Sequence, residues 1–146
     1  MKEILFRGKA INRNEKYSYR TNYKNGDWVY GLLADVNDYA GFSKMTNTDG
    51  VTGIEVDTNT VGQYTGKELN GEKLFSGDIV ETVEDYDDTF GHPATTQFYS
   101  VVVWDEENFC WAFKTGNDLI PFNDWTWECS FKVGNIFDNP ELLEVQ

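Results

Sequence analysis

Histidine, cysteine and proline are scarce in this chain. Its 146 residues include one His, two Cys and three Pro. Two cysteines, Cys110 and Cys129, cannot frame a disulfide scaffold, so the expected compartment is reducing and cytoplasmic. Cations are scarce too: 12 Lys and Arg stand against 25 Asp and Glu, a formal net charge of −13. Such a surface repels phosphate backbones, and the balance argues against nucleic acid as a partner. No apolar run reaches the length of a membrane-spanning helix, and no basic amphipathic helix is visible to lie on a membrane. The opening residues are apolar only in snatches and lack the continuous apolar segment of a secretory signal. Repeats, low-complexity tracts and Gly/Ser linkers are also missing.

Aromatic residues, by contrast, are plentiful: 5 Trp, 8 Tyr and 10 Phe, or 16% of the chain. Disordered segments are poor in such side chains, so the bulk of the chain is expected to pack. Strand signals dominate. Ile4-Leu5-Phe6 opens with a short apolar run, and Asn25-Gly26 offers the positive φ angles of a type I′ turn. Trp28 to Leu33 is rich in β-formers, and Ile54 to Asp57 alternates. Residues 60–66 read as a strand end. Asn70-Gly71 marks a second tight turn, and Gly77-Asp78 a bend leading into a strand over Ile79–Val83.

The clearest element is a hairpin. Phe98 to Trp104 runs out, Asp105 to Asn108 turns, and Phe109 to Phe113 returns with Phe109, Trp111 and Phe113 on one face. A last strand covers Ser130 to Ile136. The C-terminus carries the one good helix signal, with Asp138-Asn139 as cap candidates, Pro140 at the first helical position, and Leu142 and Leu143 to close a core face. Residues 35–53 read as a loop with room for one short strand, and residues 84–97 as a loop. The whole reads as mainly β, a small partly open barrel with a short C-terminal helix. The expected division is an N-terminal β segment at 1–57 and a barrel domain at 58–146, with one continuous domain as the alternative.

Reactive constellations are hard to assemble from these residues. His92 with Asp85, Asp87 and Asp88 could offer a divalent metal one imidazole and several oxygens. The spacing is not that of an EF-hand loop, and the plainer reading is a hydrated acidic loop. Carboxylate pairs for glycoside hydrolysis are available in any chain with 25 acids, and Trp104, Trp111, Trp125 and Trp127 could stack a sugar. Trp104 and Trp111 flank one hairpin, however, and fit better as cross-strand partners. Cys110 has no nearby base in sequence and reads as a small apolar core residue. Ser43, Ser76, Ser100 and Ser130 lack a nucleophile-elbow context, and the Gly62–Gly66 string lacks the spacing and Lys of a phosphate loop. The basic set Lys2, Arg7, Lys9, Arg13, Lys16, Arg20 and Lys24 is interrupted by Glu3 and Glu15. Tyr17, Tyr19 and Tyr23 mark an arm or interfacial loop. No catalytic, cofactor-binding or metal-binding residue is assigned, and no cofactor is expected.

Five stretches resemble the YopX family of phage and prophage proteins. They are Phe6-Arg7-Gly8-Lys9, Trp28-Val29-Tyr30-Gly31, Val61-Gly62-Gln63-Tyr64-Thr65-Gly66, Gly77-Asp78-Ile79-Val80, and the run from Gly134 through Asn135, Ile136, Phe137, Asp138, Asn139, Pro140 and Glu141 to Leu142 and Leu143. The chain departs from the pattern at Thr58, where relatives commonly carry Pro, and over Lys67–Asn70, which is short. The resemblance implies a mostly-β protein whose C-terminal part is similar to SH3-type barrels, working in a bacterial host cytoplasm. It implies no activity and hands over no site residues, because the family is one of unknown function. The expectation is a non-enzymatic accessory protein that binds a protein partner or a second copy of itself. The rivals are a nucleic-acid-associated SH3-like module and a carboxylate-pair hydrolase.

Overall fold

The computed structural model describes residues 3–12, 23–37 and 41–144, with the side chain of Asn37 left outside the description. The chain packs as two units, Met1–Gly66 and Lys67–Gln146. Among the described residues the fold is mainly β, with antiparallel sheets and one short helix.

The first unit carries β1 (Phe6–Lys9), β2 (Trp28–Asn37), β3 (Phe42–Asn47), β4 (Ile54–Asp57) and the start of β5 (Gly62–Leu69). Their order is β4-β3-β2-β1-β5. Alternation explains β4: Ile54 and Val56 turn inward and Glu55 and Asp57 outward, as a strand with one covered face requires. Ala10, Val29, Met45, Ile54 and Val56 form the core. The chain just after β1 is tied to β4 by the bridge of Ala10 opposite Val56 and by Ile11 N–H donating to the Glu55 carbonyl at 2.9 Å. At Gly31 a side chain has no room, since a Cβ there would run into the Thr46 carbonyl of β3. The Asn25-Gly26 turn differs from the expected type I′. Gly26 alone has a positive φ, +91°, and Asp27 N–H donates to the Lys24 carbonyl at 3.0 Å, a type II pattern. Residues 35–53, read as a loop with one short strand, hold the end of β2 and the whole of β3, where Phe42, Met45 and the β-branched Thr46 find partners across the ladder.

The second unit begins within β5. The Asn70-Gly71 turn, expected as a tight turn, has φ of +53° and +82°, both positive as in a type I′ turn, and leads to β6 (Glu72–Phe75). There follow β7 (Asp78–Asp87), β8 (Pro93–Asp105), β9 (Cys110–Thr115), β10 (Asp118–Pro121), β11 (Ser130–Asn135) and α1 (Glu141–Glu144). The sheet order is β10-β9-β8-β7-β11. Two readings change here. Residues 60–66 open a full strand rather than ending one. Residues 84–97 are mostly a two-stranded ribbon, with Asp85 opposite Thr95 and Asp87 opposite Pro93. Acidic side chains disguised the ribbon as a loop, yet an outward position on a strand accepts charge as readily as a loop does.

Phe113 is the centre of the second core. It is fully buried among Leu69, Leu74, Val80, Val102 and Trp125. Its ring stacks on Trp125 at 4.0 Å and on Phe122 at 4.8 Å, with Trp127 edge-on at 5.5 Å. The sheet does not close into a barrel: β10 and β11 are its two edges. Between them residues 122–129 run as two 3-10 turns, Phe122–Asp124 and Trp127–Cys129, which drop Trp125 into the core instead of adding a strand.

The family-like strings of this unit are architectural. Gly77 has φ +90° and its carbonyl accepts from Ile136 N–H at 2.9 Å. Asp78 is fully buried, and its Oδ2 accepts from Phe75 N–H at 2.7 Å and faces Lys132 Nζ at 3.3 Å. Asn135 Oδ1 accepts from Phe137 and Asp138 N–H, and Asn139 Oδ1 accepts from Asn135 N–H. A Cβ on Gly134 would collide with that Asn139 side chain. The helix starts at Glu141, one residue after the expected Pro140, and Leu142 and Leu143 are half-buried. No helix of the described residues is long and apolar enough to cross a membrane.

Candidate functional site

The acidic residues singled out by sequence are occupied with building a turn. Asp88 Oδ1 accepts from Phe90 N–H at 2.8 Å and from His92 N–H at 2.9 Å, while His92 Nδ1 lies 3.5 Å from Asp88 Oδ2. Asp85 Oδ1 accepts from the Thr95 hydroxyl at 2.9 Å. Asp85, Asp87, Asp88 and His92 are not brought together as a ligand set, and no group of three His, Cys, Asp or Glu among the described residues could hold a metal ion. Cys110 and Cys129 are free and half-buried. Ser43 and Ser100 hydrogen-bond to Thr58 and Thr115, and Ser76 lies in the turn ahead of β7. Gly62–Gly66 lies within β5, where Gly66 takes a positive φ.

Three members of the basic set, Arg7, Lys9 and Lys24, fall among the described residues. Arg7 is 2% exposed, with its guanidinium 4.6 Å from the Trp28 ring centroid, and Lys9 Nζ lies 5.4 Å from the same ring. Lys24 is exposed beside a turn. Lys2, Arg13, Lys16, Arg20, Tyr17 and Tyr19 lie outside the described residues. Tyr23 packs against the first core, and its hydroxyl accepts from Asn47 Nδ2 at 3.2 Å.

The turn from β8 to β9 presents an aromatic tip. Asp105 is nearly buried, and its Oδ1 accepts from Glu107 N–H at 3.1 Å and Asn108 N–H at 3.3 Å, with Asn108 Nδ2 donating to Oδ2 at 2.9 Å. The Asn108 side-chain bond, the largest influence, holds the Asp105 carboxyl below its ordinary range against the opposing effect of burial. Phe109 follows at φ +51°, a left-handed conformation uncommon for a bulky side chain, and is 79% exposed. Sequence alternation had placed Phe109 with Trp111 and Phe113. The structure moves it out of the strand, because a turn cannot preserve the period of two. Beside it, Trp104 pairs edge-on with Trp111 across the ladder at 5.2 Å, and Trp104 remains 45% exposed. Phe90 stands at the tip of the neighbouring β7–β8 ribbon, 83% exposed.

A cleft of about 240 Å³ opens on the core side of β7 and β8. Thr82 and Glu84 come from β7, Phe98 from β8, Ile120 from β10, and Asp124, Trp125 and Thr126 from the connection between β10 and β11. Phe98 and Trp125 meet edge to face at 6.1 Å and 83°. Ser130 fixes this corner. Its Oγ accepts from Trp125 Nε1 at 3.0 Å, donates to the Thr126 carbonyl at 3.0 Å and contacts the Thr82 hydroxyl at 3.0 Å. Trp125 is therefore a core residue at the cleft wall, and Trp127 is partly buried against the same core; the two do not form an open sugar platform. Sequence reading missed the cleft. The signal was present in β7, where Val80, Thr82 and Glu84 share one side and grade from apolar to acidic.

A family model described as YopX protein matches residues 6–144. No curated protein and no solved structure matches the chain.

Proposed function

The chain belongs to the YopX family, and on that footing we propose that it is a phage- or prophage-encoded accessory protein that acts by contact with protein partners, itself included, and catalyses no reaction. The single observation that carries this reading is Phe109. A bulky aromatic at φ +51° and 79% exposed contributes little to its own fold, and the Asp105 bonds to Glu107 and Asn108 order the turn that leads into it. Strained backbone of this kind concentrates at binding and switch sites, and exposed Phe and Trp beside acidic residues resemble the anchors of protein interfaces. Glu106 and Glu107 flank the tip and favour a partner whose apolar pocket is rimmed by basic groups. The five-stranded antiparallel sheet packed around Phe113 supports a partly open SH3-like barrel as the scaffold. The free cysteines are compatible with a bacterial cytoplasm.

The test is paired affinity capture from phage-induced cells with the wild type and a Phe109→Ser bait, together with light scattering of both. A protein retained by the wild type and lost from the variant, or an oligomer that the variant dissociates, is the expected result. A strict monomer that retains nothing beyond what the variant retains overturns the reading.

A further inference from the structure

We propose that the cleft beside Trp125 receives an arginine side chain from a protein partner. The proposal stands apart from the aromatic tip, since the two surfaces share no residue.

The lining divides by chemistry. Phe98, Ile120 and Trp125 give an apolar interior, while Glu84 and Asp124 each bring a carboxylate. Glu84 is half-buried and Asp124 is exposed, so one acid sits in the wall and the other towards solvent. Among the described residues that line the cleft, none is cationic. A purely apolar ligand would leave the two carboxylates facing it without a partner, and an anion would be repelled. An organic cation with an aliphatic stem satisfies both halves. The stem lies along Phe98 and Ile120, the charged head meets the carboxylates, and aromatic faces attract the cation.

Guanidinium suits the site better than ammonium. It is flat enough to lie against a ring and presents several donors in a fork that carboxylates accept. Size points to a side chain rather than a whole metabolite, because about 240 Å³ falls below the roughly 300–1,000 Å³ of small-molecule sites. The corner is also pre-formed. Phe113 stacks on Trp125 at 4.0 Å, and Ser130 Oγ holds the indole N–H at 3.0 Å, so little ordering remains to oppose binding.

The experiment titrates the full chain with a blocked Gly-Gly-Arg-Gly-Gly peptide and follows the Trp125 indole signal by nitrogen-edited NMR. Expected is a saturable shift with the Arg peptide, a weaker one with the Lys peptide, and none with the Gln peptide. The Glu84→Gln/Asp124→Asn double variant, with its melting temperature checked, should bind about tenfold more weakly or worse. Phe109→Ser should bind the peptide like the wild type, which separates this site from the aromatic tip. Equal shifts with Arg and Gln peptides, or undiminished binding by the double variant, overturn the proposal. Agmatine binding more tightly than the Arg peptide also overturns it, placing a free amine rather than a protein in the cleft.

Discussion

Replacing Phe109 by Gly and, separately, by Ala measures the strain stored in the β8–β9 turn. A left-handed conformation costs an L-residue about 1–2 kcal/mol. Glycine removes that cost but returns roughly 0.5–1 kcal/mol through its greater freedom in the unfolded chain. Phe109 is 79% exposed. Truncation therefore forfeits only about a fifth of the ~1.5–3 kcal/mol that a fully buried Phe contributes, or ~0.3–0.6 kcal/mol. Phe109→Gly should consequently match the wild type to within about 1 kcal/mol. Phe109→Ala keeps the strain and loses the same contacts, so it should fall below the Gly variant by ~0.5–1 kcal/mol, on the order of 2–3 °C in melting temperature. Urea unfolding followed by tryptophan fluorescence reads this well, since Trp104, Trp111, Trp125 and Trp127 all lie in the second unit. An Ala variant as stable as the Gly variant refutes the strain argument. A Gly variant more than about 2 kcal/mol below the wild type shows instead that the ring is structural.

Other outcomes follow from the cores and turns. Phe113→Ala, emptying the centre of the second core, should cost about 3–5 kcal/mol in denaturant titration. Lys132→Met leaves the fully buried Asp78 without its ammonium at 3.3 Å and should cost roughly 3–5 kcal/mol, with part recovered by adding Asp78→Asn. Asp105 has a lowered folded pKa, so its stabilisation is complete above the unfolded value of about 3.9 and is lost as pH falls from there through the folded value. Asp105→Asn should therefore be less stable near neutrality and show a shallower acid limb in melts taken across pH; an unchanged limb would contradict the assignment. Millimolar calcium or magnesium should leave the melting temperature unmoved, because Asp85 and Asp88 already accept protein donors at the ribbon and its turn.

The mainly-β character was legible because alternation and turn residues act locally. Ile54 to Asp57 and Asn70-Gly71 behave as their side chains dictate. The β7–β8 ribbon was hidden because Asp85 and Asp87 look the same to a reader whether they lie on a hydrated strand or in a loop. Phe109 was misplaced for a related reason: its hydrophobicity says bury, and only the geometry of the turn expels it. The cleft was less legible still. It is assembled from three strands and a connection far apart in sequence, and Trp125 enters it through a 3-10 turn with no apolar periodicity to announce it. How far the strands curl towards a barrel was not legible, because strand count says nothing about whether the last edge approaches the first.

Gly134 and Asn139 occupy space that only one side chain can fill. Along any lineage, then, neither position drifts alone. A larger residue at the first becomes tolerable only after the amide at the second has been lost, and that loss also unties the corner leading into α1. Paired change at these two sites, and not the frequency of either residue, is the trace such a joint should leave in diverging sequences.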